Sequence, residues 1–95
     1  MMPHPTNAVL VGKKKTASYV MAVLRMFTQE GLEEVVVKAR GANVYKAVEV
    51  ATRVVGTLES VKVENVKVGS ERLKDKNGAV RRVSSIEVSL RKQKY

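Results

Sequence analysis

Glu33 to Val55, EEVVVKARGANVYKAVEVATRVV, places a β-branched run, a basic turn and an amphipathic segment end to end. Val35, Val36 and Val37 form a short apolar run that reads as a strand covered on both faces. The run stops at Lys38-Ala39-Arg40-Gly41, where Gly41 supplies the positive φ of a sharp turn. Asn43 is then placed to cap the first free N–H groups of a helix. Val44, Ala47, Val48, Ala51, Val54 and Val55 recur at three- and four-residue spacing, with Lys46, Glu49, Thr52 and Arg53 elsewhere on the cylinder. Glu49 and Arg53 stand four apart, and Gly56 is expected to end the helix. A basic turn is therefore held between a strand and a helix N-terminus, whose free N–H groups and dipole attract anions.

Working outward, the 95 residues suit one domain with a single core, here residues 1–95. No apolar run approaches the roughly 18 residues of a membrane helix, and the first residues lack the pattern of a signal peptide. A soluble cytoplasmic protein with no membrane partner is expected. There is no cysteine, so disulfides and thiolate metal sites are excluded. Eighteen Lys and Arg against nine Asp and Glu leave a net charge of +9, the footprint expected of a polyanion-binding protein.

Toward the N-terminus, MMPHPT at residues 1–6 reads as a flexible arm, and its His4 has no Cys or second His to complete a metal site. Asn7 to Val11 is a first strand ended by Gly12. Lys13, Lys14 and Lys15 follow, immediately before a helix that Thr16 or Ser18 is placed to cap and that runs to about Glu30. Three cations oppose the helix dipole there unless an anion joins them, so a binding loop and a plain solvated charge run are the two readings. The helix stripe Val20, Val23, Leu24 and Phe27 is widened by Met21, Ala22 and Met26, which suits either a subunit interface or cover by loops of the same chain. Tyr19 sits close to the lysines, either in the core or with its hydroxyl offered to a phosphate.

Toward the C-terminus, Val61 and Val63 share one strand phase and Val66 and Val68 the other, which marks a bulge near Glu64 and Asn65. A last strand from about Val80 turns Ile86, Val88 and Leu90 inward. Between the two strands, Asn77-Gly78 signals a type I′ hairpin turn. Arg72, Lys74, Lys76, Arg81 and Arg82 against Glu71 and Asp75 leave +3 on residues 71–82. Residues 69–82 read as a projecting basic hairpin; lysine-protected edge strands also carry charge here. Arg91, Lys92 and Lys94 read as a solvated tail. The order βαβαββ implies an α/β (α+β) two-layer sandwich: two helices on a four-stranded mixed sheet with a long hairpin between the last two strands.

VLVGKKK (Val9–Lys15), VVVKARG (Val35–Gly41), YKAVEV (Tyr45–Val50), KVGSE (Lys67–Glu71) and RVSSIEVSLRK (Arg82–Lys92) resemble, in order and spacing, the archaeal chromatin proteins of the Alba family. The resemblance covers nearly the whole chain. It implies a fold similar to the C-terminal domain of bacterial translation initiation factor three. It also implies a homodimer, or a heterodimer with a paralogue, that binds double-stranded DNA and RNA without sequence preference and serves chromosomal architecture and DNA compaction. An RNA-binding role in a ribonucleoprotein or in RNA stabilisation is the alternative. By position, the family's loop lysines fall on Lys13 and Lys14, one of which is acetylated in some members, and its turn arginine falls on Arg40. Its minor-groove hairpin falls on Arg72 to Arg82. Lys15 stands where several members have proline, and Ala42 where several have arginine, with Asn43 beside it as a substitute contact. Gly56 to Ser60 lacks the phenylalanine that some members use between neighbouring dimers.

The expected nucleic-acid contacts are thus Lys13, Lys14, Lys15, Tyr19, Arg40, Asn43, Arg72, Lys74, Lys76, Arg81 and Arg82. No cofactor is expected. Neither is an enzyme, since the chain has one histidine, no cysteine and only scattered carboxylates from which to build a catalytic site.

Overall fold

Val35, Val37 and Ala39 are buried, whereas Glu34, Val36 and Lys38, which alternate with them, are half-buried, so this strand is covered on one face only. The expectation of cover on both faces is corrected by the pleat. Three successive valines put two side chains on one face and one on the other, and both helices lie on the side of the two. The computed structural model describes residues 7–93. The expected arm at residues 1–6, with His4, and Lys94 of the expected tail lie outside the described residues.

The elements follow the expected order: β1 (Ala8–Leu10), α1 (Thr16–Thr28), β2 (Glu34–Arg40), a 3-10 turn (Gly41–Asn43), α2 (Val44–Thr57), β3 (Val61–Lys74) and β4 (Val80–Lys92). They build a four-stranded mixed sheet of order β1-β2-β4-β3, parallel at β1/β2 and antiparallel elsewhere. Val23, Met26 and Phe27 of α1 and Ala47, Val50, Ala51 and Val54 of α2 close over Val35, Val37, Ala39, Val61, Ile86, Val88 and Leu90. Full burial of a side chain such as Leu90 or Phe27 stabilises by about 1.5–3 kcal/mol.

The bulge lies where the valine phases shift: Val63 faces Leu90 and Asn65 faces Ser89, leaving Glu64 unpaired between them. That one extra residue keeps Val61, Val63, Val66 and Val68 all on the helix-bearing side. The helices do not reach far enough to cover them all. Val61 is fully buried, but Val63, Val66 and Val68 are 45, 50 and 73% exposed. On α1, by contrast, Met26 is buried and Val20 and Leu24 pack on the core, with Met21 left outside. The surplus apolar surface is therefore on β3.

Helix ends depart from the local expectations. Neither Thr16 nor Ser18 caps α1; Lys15 holds the cap position without a side-chain bond, and Thr16 Oγ1 instead donates to Glu49 Oε1 of α2 at 3.2 Å. The helix stops at Thr28 rather than Glu30, and Gly31, at φ +70°, lets the chain turn so that the Leu32 N–H reaches Met26 O. Asn43 does not cap α2. It is part of the 3-10 turn, in right-handed helical conformation and without a side-chain bond, while Gly41 takes the left-handed conformation at φ +63°. Gly56 lies inside α2, which ends one residue later where Leu58 turns down onto the core. Arg91 and Lys92 are strand residues rather than tail. Arg91 pairs with Glu34 and Glu64 on the outer sheet face, and Lys92 Nζ donates to Phe27 O at 3.1 Å, near the C-terminus of α1.

The hairpin tip is also not type I′. Among the described residues only glycines have positive φ, so Asn77 does not take the positive φ that a type I′ turn needs, and Gly78 alone, at +82°, crosses over. Gly78 N–H donates to Asp75 O, Asp75 N–H donates to Ala79 O, and Asp75 Oδ1 accepts from the amides of Asn77 and Ala79. The Asp75 carboxylate thus organises a three-residue loop that ends in a left-handed glycine.

Leu90→Ala is expected to destabilise the fold by about 2–5 kcal/mol, whereas Leu10→Ala, at a largely exposed position, should stay within about 0.5 kcal/mol. Urea unfolding followed by circular dichroism measures both.

Candidate nucleic-acid interface

Because β1 and β2 run parallel, the chain leaves both at the same end of the sheet. Lys13–Lys15 after β1 and Arg40–Asn43 after β2 therefore lie at one end, each leading into a helix N-terminus. The β3–β4 ladder leaves from that end too. β2 finishes at Arg40 opposite Ser85, and Ser70–Lys74 continues against Val80–Ser84 with no third strand. All the sequence-predicted contacts are gathered on this end and on the arm that extends it.

Lys13, Lys14 and Lys15 are exposed on a loop that two other side chains pin. Tyr19 Oη accepts hydrogen bonds from the amides of Gly12 at 2.9 Å and Lys14 at 3.1 Å. Lys46 Nζ, from the first turn of α2, donates to Gly12 O at 2.8 Å and Lys14 O at 2.9 Å. The backbone of the loop is thus tied on both its donor and acceptor sides, and its lysine side chains are left facing solvent. Desolvation, the largest single influence on the Tyr19 phenol, pushes its pKa up. The two amide bonds and the charges of Lys46 and Lys14 outweigh it and hold the group below its ordinary 10.0. Tyr19 is neither plain core nor simply an offered hydroxyl: its oxygen is engaged in shaping the loop.

Lys46 was missed by the sequence reading, which placed it among the polar positions of α2. Its partners lie 34 and 32 residues earlier, and no local periodicity records such a contact. The nearest signal is that Lys46 and Glu49 share the flank of α2 that faces α1, where Glu49 also receives Thr16 and Arg53.

Arg40 is exposed at the end of β2, and its Nη1 lies 2.9 Å from Glu71 Oε1 at the base of the arm. Asn43 is half-buried in the turn. On the arm, Arg72 stands directly opposite Arg82, and Lys74 opposite Val80, in the strand phase that faces the helix side. Arg81 takes the other phase with Leu73. Lys76 is in the tip loop. Like charges directly across a ladder are unfavourable unless something negative joins them, and Arg82 finds only Ser70 Oγ at 3.4 Å.

Three carboxylates lie away from this end, while Glu71 and Asp75 stand on the arm itself. Glu34, Glu64 and Glu87 lie on the open outer face of the sheet, engaged by Arg91 and Lys38. Among the described residues, Lys13, Lys14, Lys15, Arg72, Lys74, Lys76, Arg81 and Arg82 have no carboxylate partner. No helix among them is long and apolar enough to cross a membrane.

The family model for Alba matches residues 7–70. The DNA/RNA-binding protein Alba of Nanoarchaeum equitans is 46% identical over 88 residues, covering 90% of this chain and 97% of the relative. The protein of that name from Methanococcus maripaludis is 37% identical over 85 residues, covering 88% and 96%. Among solved structures, Alba from Thermoplasma volcanium superposes with a TM-score of 0.83 at 36% identity, over 90% of this chain and all of its own. ALBA1 from Trypanosoma brucei, at 23% identity and a TM-score of 0.73 over 96% of this chain and 73% of its own, shares the fold.

Tyr19→Phe removes the acceptor of two loop amides and should speed hydrogen exchange at Gly12 and Lys14 about five- to tenfold, the factor that one ordinary lost hydrogen bond implies. Lys46→Met should weaken nucleic-acid binding more than Lys62→Met, which removes the same charge from β3 away from the loop. Amide exchange by NMR and parallel binding titrations check the pair.

Proposed function

The chain belongs to the Alba family, and from that premise we propose that it binds double-stranded DNA and RNA as a dimer, without sequence preference, and serves to coat and compact the chromosome in the cytoplasm. The observation that carries this reading is the segregation of charge. Among the described residues, Lys13, Lys14 and Lys15 on the loop and Arg72, Lys74, Lys76, Arg81 and Arg82 on the arm stand at one end of the sheet without carboxylate partners, while Lys38, Arg91, Glu34, Glu64 and Glu87 on the outer sheet face pair with one another. Phosphates bound there release counterions, and that release supplies affinity without regard to sequence. The Arg72/Arg82 pair is relieved by a phosphate placed between the two guanidiniums. Lysines and arginines on loops and a two-stranded ladder position a duplex rather than read base edges, and an arm of this shape suits a groove.

Lys13, Lys14 and Lys15 are the body contacts, with Arg40 and Asn43 beside them and Tyr19 holding the loop. Arg72, Lys74, Lys76, Arg81 and Arg82 are the arm contacts. RNA fits the same phosphate-directed surface, and the curated relatives carry both nucleic acids in their names. The dimer is supported by the apolar strip that the monomer leaves open. Val63, Val66 and Val68 of β3 form a surface that a second copy, or a paralogue with the same strip, would cover. Acetylation of Lys13 or Lys14 would remove a charge from a loop whose backbone is already fixed, and so lower affinity directly.

If about six phosphates are neutralised per dimer, log K should fall with log salt at a slope of roughly −5, and Lys13→Ala with Lys14→Ala should flatten it by roughly 2 or more on every sequence tried. Fluorescence titrations of duplex DNA and duplex RNA across a salt series measure this. A slope near zero, or loss confined to one sequence, would refute the mechanism.

A further inference from the structure

We infer that Glu71 is a positioning residue for the arm: its carboxylate holds Arg40 across the outer face of β4 and so braces the two-stranded ladder against the body. The brace sits where support from the sheet runs out. β2 ends at Arg40 opposite Ser85, and beyond Ser84 and Ser70 the ladder has only its own two strands. A two-stranded hairpin alone is marginally stable in water. Among the described residues, Arg40–Glu71, at 2.9 Å, is the one side-chain ion pair that joins β2 to the part of the ladder beyond Ser70 and Ser84.

The path between the two side chains is built from small residues. Arg40, Ser85 and Gly69 form one lateral row on the outer face, and Glu71 lies two residues beyond Gly69 on the same side of β3. Ser85 lines an open trough together with Leu10, Lys38, Arg40 and Glu71. A Cβ at position 69 would come within 3.1 Å of Ser85 Oγ, so a side chain there would crowd the row that Arg40 must cross. This gives a physical role to the glycine at the base of the hairpin, which needs no positive φ.

Charge alone gives the opposite expectation for Glu71. A carboxylate at the root of a phosphate-binding arm repels the ligand, so on a purely electrostatic surface its loss would tighten binding. The sign of the effect therefore separates a brace from a passive charge. The affinity part of this inference rests on the function proposed above; the order of the arm in the free protein does not.

The test compares the wild type, Glu71→Gln and the reversed pair R40E/E71R, which keeps the net charge. Each is measured by 15N relaxation in the free protein and by titration with a duplex DNA of about 20 base pairs. Glu71→Gln is expected to lower the order parameters of residues 72–74 and 80–82 and leave the body unchanged. It should weaken duplex binding about two- to fivefold, the range that an exposed ion pair supports, although it removes a negative charge. The reversed pair should restore the order of the arm. Unchanged arm order in Glu71→Gln, or no recovery in the reversed pair, overturns the brace. Tighter binding by Glu71→Gln overturns its role in affinity. A wild type that binds no duplex refutes the proposed function instead, and leaves the brace to be judged by relaxation alone.

Discussion

The parallel pairing of β1 with β2 is the constraint on which the rest depends. Val9 lies beside Val37, and hydrogen bonds of 2.8 Å from Val36 N–H to Asn7 O and from Val11 N–H to Lys38 O hold the two strands in register. A parallel pair has its two exits at the same end, so the lysine loop and the arginine turn become neighbours although 27 residues separate Lys13 from Arg40 in sequence. Each exit feeds a helix N-terminus. Two positive dipole ends and a set of side-chain cations are thereby brought together, an arrangement that is unfavourable in isolation and favourable with a polyanion present.

The cost of that concentration is limited by how the other face is used. The outer side of the sheet has no helix, and an uncovered sheet face must be polar to stay in water. This chain fills it with ion pairs: Lys38 with Glu87, Arg91 with Glu34 and Glu64, and Arg40 with Glu71. Each exposed pair contributes little stability on its own, on the order of 0–1 kcal/mol. Their larger effect is to keep carboxylates away from the loop, leaving Lys13, Lys14 and Lys15 unneutralised. The bare valines of β3 lie on the edge strand of the sheet, where the helix layer buries Val61 and leaves Val63, Val66 and Val68 open.

Much of the fold was legible because it rests on short-range periodicity. Ile86, Val88 and Leu90 are buried as their alternation requires, the valine phase shift locates the bulge at Glu64, and the α2 stripe is buried at Ala47, Ala51 and Val54, although Val48 of that stripe is exposed and Val50 outside it is buried. Several local expectations failed because a tertiary or side-chain partner displaced the default. Thr16 bonds Glu49 rather than its own helix, Lys92 reaches Phe27 O rather than solvent, and the Asp75 carboxylate binds the loop amides and makes a type I′ turn unnecessary at Asn77-Gly78. The valine run at Val35–Val37 misled for a different reason, because composition alone does not say how many faces of a sheet are covered.

By itself, the sequence determined the order of elements, the inward phases and the excess of positive charge on the loop and the hairpin. These follow from spacings of two, three and four residues and from composition, both of which are local quantities. Only the tertiary structure decided that Lys46 and Tyr19 shape the lysine loop, that Arg40 is held by Glu71, and that the uncovered apolar strip lies on β3 rather than α1. The Lys46 and Arg40 contacts join residues more than 30 positions apart through side chains of ordinary composition. Their existence depends on strand register and helix placement, which no window of the sequence contains.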